Sequence, residues 1–223
     1  METIKLETWE AVSDYIDAGA FQIRMSQFEH LQQHANYYPR HAYSKGQLAS
    51  KSWLLGELNK VEFTADITVA ILGSWIGALV DPLHRMMTID RVYGIDADPE
   101  CVHISEKLNQ RYLAGWKYKG VCADVTQLDC SNMQFETGGE LIDVTPHIII
   151  NTSSEHMNTE WFDSISDKQL VVMQTNNSTE FDGHVNVCDS IEHMQERYPL
   201  SYTAYVGEMQ TPAYTRYMQI GFK

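Results

Sequence analysis

Ile67-Thr-Val-Ala-Ile-Leu72 runs directly into Gly73-Ser-Trp-Ile-Gly77. A short, β-branched, nearly continuous apolar run that stops at a glycine reads as a parallel strand buried on both faces. The glycine turn lets backbone approach a ligand where a Cβ would collide. A helix is expected from Ile76 to Met87, with Pro82 as an irregularity inside it, and its first turn would offer free N–H groups. The spacing is G-x-x-x-G rather than G-x-G-x-x-G, so the pyrophosphate-binding dinucleotide fingerprint is not matched.

The same pattern repeats on the C-terminal side. Ile89 to Ile95 reads as a second strand, ending in Asp96-Ala-Asp98-Pro99. Pro99 suits the first turn of a helix reaching about Tyr112. Lys119 to Cys122 is a third strand, ending in Ala-Asp124. His147 to Ile150 is a fourth, ending in Asn151-Thr-Ser-Ser, and Gln169 to Met173 a fifth, ending in Gln174-Thr-Asn-Asn177. All five end in small or polar residues, and ligands of open α/β sheets lie outside those carboxyl ends. Leu128 to Thr145 is polar, contains Gly138-Gly139 and reads as a loop or small excursion. Leu200 to Gly207 and Tyr214 to Phe222 alternate around a turn and read as a β-hairpin.

Residues 1 to 60 read as helical. Leu6, Trp9, Val12, Tyr15 and Ile16 follow helical spacing, and a second amphipathic run covers Ile23 to His34. Ser44 suits the cap of a third helix to about Asn59, carrying Leu48, Trp53, Leu54, Leu55 and Leu58. The expected organisation is an N-terminal helical cap, 1–60, and an α/β domain, 61–223.

The chain has 223 residues and a formal charge of −14. Such a balance disfavours a nucleic-acid substrate, since polyanions are usually held by basic patches. No window reaches the apolar length of a membrane span, and the acidic start does not read as a signal peptide. Cys101, Cys122, Cys130 and Cys188 form no CxxC pair and read as reduced thiols of a cytoplasmic protein. His30 and His34 have chelating spacing, but no further ligand motif accompanies them, and no metal site is expected.

Three strand ends carry the strongest chemical signal. Asp96 lies about 20 residues past the glycine turn, where a carboxylate can accept both hydroxyls of a ribose. Asp124 is placed for a donor such as an adenine amino group. At the fourth strand end, Glu155 and His156 could supply a general base beside Asn151 and Ser153, or serve only to cap the next helix. Gln174, Asn176 and Asn177 offer amide donors and acceptors to a polar ligand, or satisfy their own turn. Tyr38, Arg40 and Lys45, ahead of Ser50-Lys51, could meet an anionic or aromatic acceptor, or form an amphipathic face.

The order of glycine turn, ribose acid, second acid, polar fourth strand end and terminal hairpin resembles that of class I S-adenosylmethionine-dependent methyltransferases. The resemblance covers roughly residues 64 to 223. It implies a Rossmann-like, seven-stranded, mostly parallel sheet with a C-terminal β-hairpin, preceded by N-terminal helices. It also implies S-adenosyl-L-methionine as cofactor. Gly73 and Gly77, with Ser74 and Trp75 between them, would then meet the methionine moiety. Asp96 and Ala97 would meet the ribose, Asp124 and Val125 the adenine, and Asn151 the transferred group. Trp75 has no counterpart in the family's usual motif and either shapes the pocket or packs. The Asn/Asp-Pro-Pro-aromatic tetrapeptide of amino-methylating members is missing at Asn151, so methylation of a base or amide nitrogen is not supported. The acceptor is expected to be a small polar molecule or a protein side chain. The alternative is a subunit that binds the cofactor, or belongs to an assembly, without transferring anything.

Overall fold

The computed structural model describes residues 1–16, 39–63, 66–137, 139–180 and 183–223. The chain runs β1 (Glu2–Lys5), α1 (Trp9–Tyr15), α2 (Pro39–Ala42), α3 (Lys45–Leu58), β2 (Thr68–Leu72), α4 (Val80–Met86), β3 (Arg91–Asp96), α5 (Pro99–Leu108) and α6 (Gln110–Leu113). It continues through β4 (Tyr118–Cys122), β5 (Met133–Thr137), β6 (Glu140–Val144), β7 (Ile148–Asn151), α7 (Glu160–Asp163), β8 (Leu170–Asn176), α8 (Ile191–Arg197), β9 (Tyr202–Gln210) and β10 (Thr215–Phe222). The helix expected at Ile23 to His34, His30 and His34 with it, lies outside the described residues, as do Tyr38 and the side chain of Arg40.

Eight strands form the main sheet, in the order β1-β9-β10-β8-β7-β2-β3-β4. β7, β8, β3 and β4 continue the parallel direction of β2. β10 is antiparallel to β8 and β9, and β1 is parallel to β9, so β10 alone runs the other way. The expected α/β class holds, with eight strands in place of seven. The extra strand is β1, four residues with little side-chain signal, which pairs through its backbone from Glu2↔Gly207 to Lys5↔Gln210. Residues 2 to 5 are therefore sheet, not helix.

β2 explains why the sheet is covered on both sides. Val69 and Ile71 face one apolar cluster, Ala70 and Leu72 the other, as the two-residue period of a strand requires. The first cluster takes in Trp53, Leu54, Leu55 and Leu58 of α3, and the second takes in Trp161, Phe162, Met194 and Tyr198. Ser44 caps α3 by accepting from Gln47 N–H, and Trp53 Nε1–H donates to Tyr205 Oη on β9 at 2.9 Å. α3 is thus part of the main core rather than of a separate cap over residues 1–60.

Two expected helices are shorter. α4 begins at Val80 rather than Ile76, because Trp75 and Gly77 adopt left-handed backbone conformations, φ 49° and 69°. Pro82 then falls in the first turn, where its missing N–H costs nothing. The helix expected to reach Tyr112 breaks at Asn109, whose side chain donates to the Gly77 and Ser105 carbonyls. The expected excursion before the fourth strand is a separate two-stranded hairpin, β5–β6, turned at Gly139 with φ 82°. Among the described residues no helix is long and apolar enough to cross a membrane.

Leu55 is fully buried, so Leu55→Ala should lower the unfolding free energy by about 2–5 kcal/mol in urea denaturation. A loss below about 1 kcal/mol would be inconsistent with α3 as a core helix.

Candidate functional site

The sheet order reverses around β2. The chain proceeds β2, β3, β4 to one side, then crosses to β7 and β8 on the other. A crevice forms where connections leave neighbouring strands in opposite directions. Here it opens between the ends of β2 and β7, and a cavity of about 370 Å³ occupies it. Its wall includes Gly73, Ser74, Trp75, Asp96, Thr152 and Ser153, with Glu155 and His156 beyond them and Gln47 and Lys51 contributed by α3.

The turn after β2 is held by the end of β3. Ser74 N–H donates to the Ile95 carbonyl at 2.9 Å and Trp75 N–H to Asp96 Oδ2 at 2.7 Å. Asp96 Oδ1 accepts from Asp98 N–H at 3.1 Å. Burial pushes the Asp96 carboxyl above its ordinary range, while the Asp98 and Trp75 N–H groups favour the charged form. Each oxygen keeps capacity for a further donor.

The two glycines face different surroundings. Gly73, φ 61°, lines the cavity, and a Cβ there would lie 3.1 Å from Met157 Cε and 3.3 Å from Ser153 Cβ. A Cβ on Gly77 would lie 2.8 Å from Asn109 Nδ2 and 3.0 Å from Ser105 Cβ. Gly77 is therefore a packing glycine against α5 and does not line the cavity.

The end of β7 organises itself. Asn151, fully buried, accepts from Ser153 N–H at 2.9 Å, and its amide points at Met157 Sδ. It shapes the loop instead of lining the cavity. Ser153 Oγ–H donates to the Gly73 carbonyl at 3.3 Å, joining the two lips of the crevice.

Glu155 is 2% exposed. Its Oε1 accepts from Asn176 Nδ2 at 2.5 Å and from Arg216 Nη2 at 3.4 Å, and its Oε2 is buried without a hydrogen-bond partner. Arg216, equally buried, also donates to the Thr152 carbonyl at 3.2 Å. Lys51 is buried and donates to Gln47 Oε1 at 2.5 Å. Burial, and then the Arg216 charge, bring its amine down to about 7 against the opposing pull of Glu155. His156 is exposed, and its Nδ1 lies 3.1 Å from the Gly183 carbonyl. Burial of part of the ring lowers its pKa, opposed by the Glu155 charge.

Several residues expected at the site lie elsewhere. Asp124 is exposed and spends Oδ1 on Thr126, capping the 3-10 turn at Val125–Gln127. Val125 is in the core, and Ala97 is exposed beyond Asp96. Lys45 is exposed, with Nζ 3.4 Å from the Trp9 carbonyl. Gln174 is buried and donates to the Ser50 carbonyl, Asn176 is spent on Glu155, and exposed Asn177 pairs with Thr215. Sequence reasoning left Gln47, Thr152 and Arg216 out of the site and named Lys51 only as following the N-terminal loop. A lysine inside an apolar helix face and an arginine inside an alternating strand were the available signals.

No protein-family model matches the chain, and no curated protein matches it by sequence. Solved structures do match. A Pyrococcus horikoshii protein described as an RNA methyltransferase aligns at TM-score 0.51 and 17% identity, over 78% of this chain and 83% of its own. The mitomycin 7-O-methyltransferase MmcR aligns at TM-score 0.54 and 10% identity, over 97% and 68%. MtNAS in complex with MTA and tNA aligns at TM-score 0.52 and 10% identity, over 96% and 75%. At these identities the likeness is one of fold, and the chain has the Rossmann-like fold of class I S-adenosylmethionine-dependent methyltransferases.

The Lys51 placement makes stability depend on pH in a defined way. Its folded-state pKa, about 7, lies below the ordinary value of 10.5. Between those values the unfolded chain binds the extra proton, so native stability gains as pH rises. Lys51→Met should therefore be more stable than the parent at pH 7, with the difference shrinking steadily toward pH 10.5. Urea titrations of both proteins across that range measure it, and a pH-independent difference would contradict the buried placement.

Proposed function

We propose that this chain transfers a methyl group from S-adenosyl-L-methionine to a polar acceptor, a small molecule or a protein side chain. The observation that carries the reading is the cavity itself, which is lined by a glycine turn, a half-buried strand-end acid and a buried amine. Its volume falls within the usual range for small-molecule sites. The turn suits such a cofactor, because Gly73, with φ 61°, keeps it compact beside the cavity, where a Cβ would press on Ser153 and Met157.

In this reading Asp96 accepts from the ribose hydroxyls, and the Gly73 to Trp75 backbone borders the methionine end. The bound cofactor supplies a methyl group on a sulfonium, open to in-line displacement, so alignment of the acceptor is most of the catalytic task. Gln47, Thr152 and Ser153 orient the acceptor through hydrogen bonds. Lys51 takes the proton of a protic acceptor, since burial and the Arg216 charge bring its amine down to about 7. Glu155, expected from the sequence as a base, is tied to Asn176 and Arg216 and acts by setting the charge around Lys51. Asn151, Gln174 and Asn176 support the loop and the inner wall.

By calorimetry, S-adenosylhomocysteine should bind and NAD should not. Asp96→Ala should weaken binding by about 1–3 kcal/mol, the range for hydrogen bonds to a charged group. Failure of both S-adenosylmethionine and S-adenosylhomocysteine to bind at millimolar levels would sink the reading. In a homocysteine-release assay with candidate acceptors, Lys51→Met should keep nucleoside binding and lose transfer. A parent protein that binds the nucleoside yet transfers to no acceptor would be a binding subunit instead.

A further inference from the structure

Glu155, His156 and His184 each bring a donor atom to within 4.8 Å of the other two. They come from two loops, the 3-10 turn after β7 and the segment between β8 and α8. We propose that these three side chains form a binding site for one divalent transition-metal cation, of the kind represented by Zn²⁺ or Co²⁺. Two imidazoles and one carboxylate are a donor set suited to such ions.

The hydrogen bonds around the cluster have the pattern that metal-binding imidazoles require. His156 Nδ1 lies 3.1 Å from the Gly183 carbonyl, and His184 Nδ1 lies 2.6 Å from the Ser178 carbonyl. A carbonyl can only accept, so each Nδ1 carries the proton and each lone pair resides on Nε2. Backbone carbonyls that fix the tautomer and ring orientation in this way are the usual outer partners of histidine ligands. The two rings meet edge to face, 4.5 Å between centroids.

The carboxylate is divided between two tasks. Oε1 is engaged by Asn176 and Arg216, while Oε2 is buried with no hydrogen-bond partner. A buried carboxylate oxygen with no hydrogen-bond partner is costly, and coordination to a cation supplies the missing partner. Arg216 hydrogen-bonds Oε1, so Oε2 remains for a further ligand. Donor atoms on one tetrahedral Zn²⁺ lie about 3.4 Å apart, so small side-chain rotations close the cluster around an ion. His156 belongs both to this cluster and to the cavity wall, so a bound cation borders the cavity.

The test uses the full chain, stripped with a chelator and free of nucleoside, so it stands apart from the methyl-transfer reading. Co²⁺ is titrated in and followed by its visible absorption, with Zn²⁺ added in competition. One equivalent should bind the parent protein, with a spectrum of nitrogen and oxygen ligation. His156→Ala and His184→Ala should each weaken binding at least about tenfold, the loss that even an outer hydrogen-bond partner of a ligand can cause. His193→Ala, on α8, should not. Melting curves check that each variant is folded. Unchanged affinity in both loop variants overturns the proposal, as does the absence of saturable binding below millimolar Co²⁺. A thiolate charge-transfer band in the parent spectrum would overturn it without any variant, since it would assign the ion to the cysteines.

Discussion

The reversal of strand order at β2 governs the rest of the molecule. β2 has a parallel neighbour on each side, β7 and β3, and is covered by apolar layers on both faces. Its side chains have no polar task to perform, so chemistry is confined to the residues beyond Leu72. The connections from β2 and β7 leave in opposite directions, and the gap between them cannot be filled by the strands themselves. The rim of that gap is short and polar. Gly73 on one side and Ser153 on the other are joined by a single hydrogen bond.

Behind that rim the inner wall is electrostatic. Lys51, Glu155 and Arg216 come from α3, the loop after β7 and β10, and all three are buried. One carboxylate faces two cations, so the set is under-compensated as long as Lys51 is protonated. Burying an ion costs several kcal/mol unless it is well paired. The least costly adjustment is for the amine to release its proton, which is the direction its pKa takes. The terminal hairpin is therefore more than a sheet edge. Arg216 sits opposite Asn176 in the β10–β8 register, and those two residues hold Glu155 from both sides.

The parallel sheet and the position of the crevice were legible because both rest on local signals: apolar runs that stop at small or polar residues. Gly73, Asp96 and Ser153 were found by that rule. Gly77 was not separable from Gly73, since both have positive φ and only the neighbours, Asn109 and Ser105 in one case and Ser153 in the other, tell them apart. Gln174 and Asn176 were recognisable as polar, yet their partners, the Ser50 carbonyl and Glu155, are distant in sequence. Lys51 sits among apolar neighbours on a core helix, and its proximity to Arg216 exists only once the hairpin has docked. β1 escaped notice because an edge strand pairs through backbone groups that carry no sequence.

Trp75 ties these levels together. A non-glycine residue at φ 49° is disfavoured by roughly 1–2 kcal/mol, and glycines stand within two residues on either side of it. The conformation is held by its N–H, which donates to Asp96 Oδ2 at 2.7 Å. The carboxylate read as the ribose ligand is thus also the clasp of the turn. Any ligand that donates hydrogen bonds to Asp96 shares that carboxylate with the Trp75 backbone. Through the turn Asp96 is linked to Gly73, whose carbonyl receives Ser153 from the opposite lip. Ser153 in turn opens the 3-10 turn that carries Glu155 and His156. The two ends of the cavity are therefore connected through short steps of backbone and hydrogen bond, from the acid of β3 to the imidazole after β7.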